Sequence, residues 1–250
     1  MSTVLLLQDI KIMLQKIKDR YPYAYMPFEF ADDTLRILGT EIKIYVAEKL
    51  SEAWIEAYPT YQSVFQEDQE FLEHVNYSNR KWLEPKNNST HLCILLTDQE
   101  STKIKYTLIH ELRHCFDFIK TWNAWKETGH DGIPPNSQEY SNWSEFNAVY
   151  TETVLRLFDI KTDDAFEALS SFLGYKGADC VAGILRNSSD ADYYISRYIG
   201  LHRAIRDLST VICPAPVFHL WHMIPQAIDK IDSEAFYKAN HYQGMDYFSL

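Results

Sequence analysis

The sequence has no apolar run of the length that crosses a membrane, about 20 residues, and we expect no secretion signal, because no such pattern is visible. Its apolar residues 4–7 are followed at once by Gln8 and Asp9. The four cysteines are widely spaced and lack the C-x-x-C pairing of many metal and redox sites. We therefore expect a cytoplasmic protein with reduced core thiols and no membrane partner.

Positive charge is also scarce in this chain. There are 24 Lys and Arg residues against 35 Asp and Glu residues, which gives a formal net charge of −11. This balance argues against nucleic acid as a partner, since nucleic-acid-binding proteins carry basic patches. A hydrophobic share of 46 % over 250 residues is enough for a sizeable core. The composition therefore predicts a globular protein of one large domain or two intimate ones.

The apolar pattern predicts a mixture of helices and strands in the first half of the chain and mainly helices in the second. Residues 4–18 favour a helix, because Leu6, Ile10, Met13 and Ile17 recur at helical steps. Short apolar or alternating runs predict strands at residues 35–38, 41–46 and 91–97. Helices are predicted over 50–75, from 103 to about 122, and over 142–159, with a loop over 123–141.

These elements predict an α+β fold. A small, mostly antiparallel sheet carries an active-site helix, and a mainly helical C-terminal half follows. We expect residues 1–122 to form the α/β part and residues 123–250 the helical part, as two parts of one intimate catalytic domain. The connection 80–90 is expected to be a loop or a hairpin arm.

Residues 110–114 read His-Glu-Leu-Arg-His, an H-E-x-x-H motif inside a predicted helix. A helix places residues i and i+4 on one face, so the imidazoles of His110 and His114 point at one spot. The Glu111 carboxylate stands beside them. This spacing is typical of a catalytic zinc site with two His ligands and a Glu general base. The sequence therefore predicts Zn²⁺ as the cofactor.

Glu145 is the predicted third ligand, because catalytic zinc takes three protein ligands and one water. It lies at the start of the next predicted helix, after a loop long enough to reverse the chain. The alternative is a capping box in which Asn142 and Glu145 satisfy the first turn of that helix. Glu152 lies two turns further along the same face and is the second choice. Weaker candidates are Glu127, Glu139 and His130.

Asp117 shares a helix face with the two histidines but is too distant to share an ion with His110. Seven residues of helix rise about 10.5 Å, which a short Asp side chain does not bridge. At most we expect Asp117 to form a hydrogen bond with His114, which would orient that histidine for metal binding.

The motif and the downstream Glu resemble the zincin metallopeptidases of the gluzincin type, over roughly residues 90–155. The Glu-Phe-Asn-Ala stretch at 145–148 is similar to the regulatory peptidases of the ImmA/IrrE group, although Arg113 stands where they usually have Gly. The motif does not continue after His114 through a Gly turn to a third His, as it would in a metzincin. The resemblance implies ligand roles for His110, His114 and Glu145 and a base role for Glu111. It also implies that the strand 91–97 is a sheet edge that aligns an extended peptide.

The expected function is that of a zinc metallopeptidase, which hydrolyses a peptide or protein substrate with metal-activated water and Glu111 as general base. Candidates for oxyanion stabilisation or substrate binding are Tyr150, His202, His219 and His222. One alternative is a non-catalytic regulatory or binding module that keeps a zincin fold. Another is a structural zinc site with a fourth ligand from His130 or a cysteine. The sequence does not set the substrate, the cleavage specificity or the oligomeric state.

Overall fold

The structure is a computed structural model that describes residues 3–31, 34–83, 91–98, 101–129, 138–159, 175–177, 179–180, 182–183 and 191–209. It is α+β, as the sequence predicts. The chain divides into two compact units: Met1–Lys16 with Met26–Ile133, and Ile17–Tyr25 with Pro134–Leu250. Among the described helices, none combines the length and the apolar character needed to cross a membrane.

The first unit contains five helices and five strands in its described residues. The helices are α1 (Thr3–Ile17), α2 (Leu50–Ala57), α3 (Tyr61–Glu67), α4 (Gln69–Tyr77) and α5 (Ser101–Glu127). The strands are β1 (Glu29–Ala31), β2 (Thr34–Ile37), β3 (Thr40–Ala47), β4 (Arg80–Leu83) and β5 (His91–Thr97). The apolar stripe predicted on α1 is buried, as expected for an amphipathic helix.

The five strands form one sheet in the order β1-β2-β3-β5-β4, in which only the β3–β5 pair is parallel. The expectation that residues 91–97 form a sheet edge is wrong, because β5 pairs with β3 on one side and with β4 on the other. In the described part of the chain, the edge strand beside β5 is β4, a segment that the sequence suggested as a loop or hairpin arm. Every residue from Leu92 to Leu96 is buried, which is the pattern of a central strand.

The two faces of β5 pack against different helices. Cys93 and Leu95 join an apolar cluster with side chains of α2, α3 and α4. Since side chains alternate along a strand, Leu92, Ile94 and Leu96 point to the opposite face. The long helix α5 packs against β5 and β4. The H-E-x-x-H motif is therefore held on a helix that is fixed to the sheet.

The second unit contains α6 (Gln138–Asp159) and α7 (Ala191–Ser209), which pack extensively on each other. A Cβ added to Gly200 on α7 would lie 2.5 Å from the backbone oxygen of Phe146 on α6. Glycine therefore lets the two backbones approach closely at this point. The predicted loop over 123–141 is too long, because α5 continues to Glu127 and α6 begins at Gln138.

Candidate metal centre

The two motif histidines converge on one point beside α5. The Nε2 atoms of His110 and His114 are 3.1 Å apart, and the rings meet edge to face with centroids 4.8 Å apart. Both side chains are buried. Two nitrogens bound to one tetrahedral zinc at 2.0–2.1 Å would be about 3.3 Å apart. The pair is thus already close to the geometry that a shared ion requires.

Arg80 of the edge strand β4 binds the motif from the sheet. Its Nε lies 3.1 Å from Oε1 of Glu111, and its Nη2 lies 3.3 Å from Nε2 of His110. Glu111 is 3 % exposed, so its carboxylate is removed from bulk water. A buried carboxylate needs a charge partner or hydrogen bonds, and the guanidinium supplies both.

Trp82, two residues along β4, contacts the second histidine. Its ring stacks on His114 with centroids 6.2 Å apart, and it packs on Phe118 at 5.2 Å. Residues i and i+2 of a strand share a face, so Arg80 and Trp82 reach α5 together. Lys81 points the other way, over the ring of Trp54. Sequence reasoning missed both contacts, and the alternation of side chains along β4 was the signal that would have indicated them.

A second buried ion pair follows the motif on α5. Nε of Arg113 donates to Oδ1 of Asp117 at 3.0 Å, and both side chains are buried. The guanidinium also lies over the ring of Phe116. Arg113 is therefore a core ion-pair residue, and the predicted bond from Asp117 to His114 stays a prediction.

The donor set at the motif suits zinc. Two imidazole nitrogens with a nearby carboxylate are typical zinc ligands. The two Nε2 atoms are close enough to share one ion, and Arg80 contacts the ring of His110 from the sheet. The residues present therefore fit the metal.

Glu145 lies on α6, in the second unit, and is buried at 4 % exposure. The capping-box alternative for this residue is wrong, because α6 begins at Gln138 and Asn142 lies inside the helix. The side chain of Gln138 donates instead to Oδ1 of Asn142 at 2.9 Å. Glu145 is thus an interior helix residue, and its carboxylate has no role at a helix terminus.

Arg197 on α7 forms an ion pair with Glu145. Its Nε lies 3.3 Å from Oε1 of Glu145, and its Nη1 lies 3.4 Å from Oδ2 of Asp179. Burial disfavours the charged guanidinium, but the combined attraction of Glu145 and other nearby acidic groups, Asp179 among them, holds the pKa of Arg197 above its usual value. The arginine is therefore a permanent cation beside the predicted third ligand.

The cysteines of the described residues are poor candidates for metal binding. Burial raises the pKa of Cys180 to about 11, and it raises the pKa of Cys115 well above its ordinary value. Burial also raises the pKa of Cys93. A metal ligand must be a thiolate, which these environments disfavour. A structural zinc site completed by one of these three thiols is accordingly not favoured.

The remaining predicted residues are of three kinds. Some have partners within their own unit, some lie on described helices, and some lie outside the described part of the chain. Glu152 pairs with Arg156 at 3.1 Å on the same helix. The hydroxyl of Tyr150 donates to Oδ2 of Asp207 at 2.9 Å, so this group is engaged within the second unit.

Glu127 is exposed near the end of α5, and Glu139 lies on α6. His202 lies on α7, while three predicted histidines fall outside the described residues: His130, His219 and His222.

Comparisons with protein-family models, with curated proteins and with solved structures found no match. The zincin relationship therefore stays a resemblance that depends on the motif and the downstream Glu.

Proposed function

We propose that this chain is a zinc-dependent hydrolase of peptide or related amide bonds. His110, His114 and Glu145 would hold the metal, and Glu111 would be the general base. The observation that carries the proposal is the convergence of two buried imidazole Nε2 atoms, 3.1 Å apart, with a buried carboxylate on the intervening Glu111. A scaffold role would require no such base.

The choice of Glu145 as third ligand is supported by its chemistry. Its carboxylate is buried on α6, and a buried carboxylate needs a positive partner such as a metal ion or an arginine. Two imidazoles and one glutamate are a known ligand set of catalytic zinc, which keeps its fourth position for water.

When bound, zinc supplies Lewis acidity, lowering the pKa of water toward neutrality and polarising a substrate carbonyl. Glu111 would take a proton from the attacking water and pass it to the leaving amine. A C–O bond forms, the C–N bond breaks, and the proton ends on the amine. Arg80 holds the Glu111 carboxylate in place through the 3.1 Å ion pair. Trp82 covers His114 on the side of the sheet.

The test is a comparison of two glutamate variants on the same helix. Glu111→Gln should keep zinc and lose at least about 10²-fold in hydrolysis of a fluorogenic peptide library, since general base catalysis contributes about 10²–10⁴-fold. Glu127→Gln changes an exposed residue of α5 and should behave as wild type. Equal hydrolysis by Glu111→Gln and wild type would refute the base assignment.

A second candidate function is a non-catalytic regulatory or binding module. It is favoured by the contacts of Arg80 with both Glu111 and His110, which give these two motif side chains a structural partner on the sheet. A wild-type protein that binds zinc but cleaves no member of the library would support this candidate. A protein that takes up no zinc on reconstitution would exclude the zinc-dependent hydrolase, and the non-catalytic module would be the remaining candidate.

We also propose a cytoplasmic location. Cys93, Cys115 and Cys180 are free, buried thiols, and reducing compartments keep cysteines in this state. Fractionation of cells that express the tagged full chain would test the proposal, and recovery from the medium would contradict it.

A further inference from the structure

The ion pair between Glu145 and Arg197 joins α6 to α7 in the second unit, with Nε of Arg197 3.3 Å from Oε1 of Glu145. The side chains are 5 % and 13 % exposed, respectively. Arg197 also reaches Asp179, whose side chain is 45 % exposed. One guanidinium therefore links a buried carboxylate on α6 to a carboxylate nearer the solvent.

The packing of α7 on α6 sets this contact. Gly200 approaches the backbone of Phe146 so closely that a Cβ would lie 2.5 Å from its carbonyl oxygen. Arg197 precedes Gly200 by three residues, so the two share a face of α7. Glu145 immediately precedes Phe146. The close approach of the two backbones thus brings the guanidinium against the carboxylate.

We propose that Arg197 is a positioning residue that fixes the carboxylate of Glu145 for metal binding. The inference rests on the proposed function, because it takes Glu145 as the third ligand. Partners that hold ligating carboxylates through hydrogen bonds or charge typically contribute 10–100-fold to metal affinity. Nε of Arg197 attracts Oε1 of Glu145 across 3.3 Å, which favours the Glu145 rotamer that keeps this oxygen close to the guanidinium.

Asp179 gives the arrangement its charge balance. A lone cation beside a metal ligand would repel Zn²⁺. Because Arg197 is paired with Asp179 as well as Glu145, part of its positive charge is offset on the side of Asp179. The arginine therefore orients the ligand at a reduced electrostatic cost, and a variant that removes it leaves a misplaced, buried carboxylate.

The experiment measures the affinity of the full chain for Zn²⁺ by competition with a chromophoric chelator. Arg197→Met should bind zinc 10–100-fold more weakly than wild type. Arg197→Lys should recover part of the loss, because Lys keeps the charge without the planar fork. The matched control is Arg203→Met, which removes another buried arginine of α7 that pairs with Asp207 at 2.9 Å. This control should leave the affinity unchanged.

The outcomes separate the inference from the proposed function. If wild type binds zinc and Arg197→Met binds it equally well, the positioning role is refuted while the metal site stands. If Arg203→Met weakens zinc binding as much as Arg197→Met, the effect is general loosening of α7 and the inference is refuted. If wild type binds no zinc, the proposed function is refuted, and the positioning role that depends on it is refuted as well. Melting temperatures of the metal-free variants identify any protein that is not folded. If Arg197→Met is not folded, the zinc affinity of Arg197→Lys is compared with that of wild type instead.

Discussion

Substitution of Gly200 by alanine tests the packing that holds the second unit together. The added Cβ would lie 2.5 Å from the Phe146 carbonyl oxygen and 3.2 Å from the backbone nitrogen of Tyr150, whereas ordinary contact begins at 3.4 Å. The helices must therefore separate by up to about 0.9 Å, and backbone atoms cannot rotate away as a flexible side chain does.

Two opposing effects determine the size of the change. Overpacking of this kind lowers the free energy of unfolding by about 1–3 kcal/mol. We expect a value near the upper end of this range, because the added Cβ meets backbone atoms that cannot rotate away. Alanine in a helix interior gains about 0.5–1 kcal/mol over glycine. We expect a net loss of about 1–2 kcal/mol in the free energy of unfolding, which lowers the melting temperature by about 2–8 °C in a chain of this size.

Thermal unfolding of the metal-free Gly200→Ala variant measures this prediction. Ser196→Ala, one turn earlier on α7, is the control for a small-residue change that adds no volume. An unchanged or raised melting temperature for Gly200→Ala would refute the close approach of α6 and α7, since helix propensity alone predicts stabilisation.

Three further predictions concern the motif and the thiols. Arg80→Met leaves the buried Glu111 carboxylate without its cation, and it should lower the free energy of unfolding by about 1–3 kcal/mol in denaturant titration, less than for a fully buried pair. Trp82→Ala removes the ring stacked on His114 and should cost about 3 kcal/mol, while Trp82→Phe should cost less than half of that. Cys180, whose pKa burial raises to about 11, should resist iodoacetamide at pH 8 in the native protein and react after unfolding, as followed by mass spectrometry.

The spacing of apolar residues along the chain was enough to predict those helices and strands in which apolar residues recur regularly. The stripe on α1 and the buried run of β5 follow from helical and strand spacing, and both are present in the structure. The helical context of His110, Glu111 and His114 is also confirmed, because their spacing on α5 needs no tertiary information. Glu145 lies on the predicted helix, but in its interior and not at its start, and its ligand role stays a prediction.

The contacts that depend on partners distant in the sequence were not predicted. Arg80 reaches Glu111 only because β4 pairs with β5 at the sheet edge, and strand order is not encoded in local periodicity. The same reason explains why β5 was expected at the edge. Arg197 meets Glu145 through the packing of two helices about fifty residues apart in sequence. Asn142 matched a helix-start pattern, yet α6 begins one turn earlier.

The proposal that His110, His114 and Glu145 hold one zinc ion is tested by native mass spectrometry of the zinc-reconstituted wild type beside the His114→Ala and Glu145→Ala variants. We expect one zinc per wild-type chain, no retained zinc for His114→Ala, and clearly weakened retention for Glu145→Ala. A wild-type protein that retains no zinc, or a Glu145→Ala variant that retains it fully, would refute the proposed site.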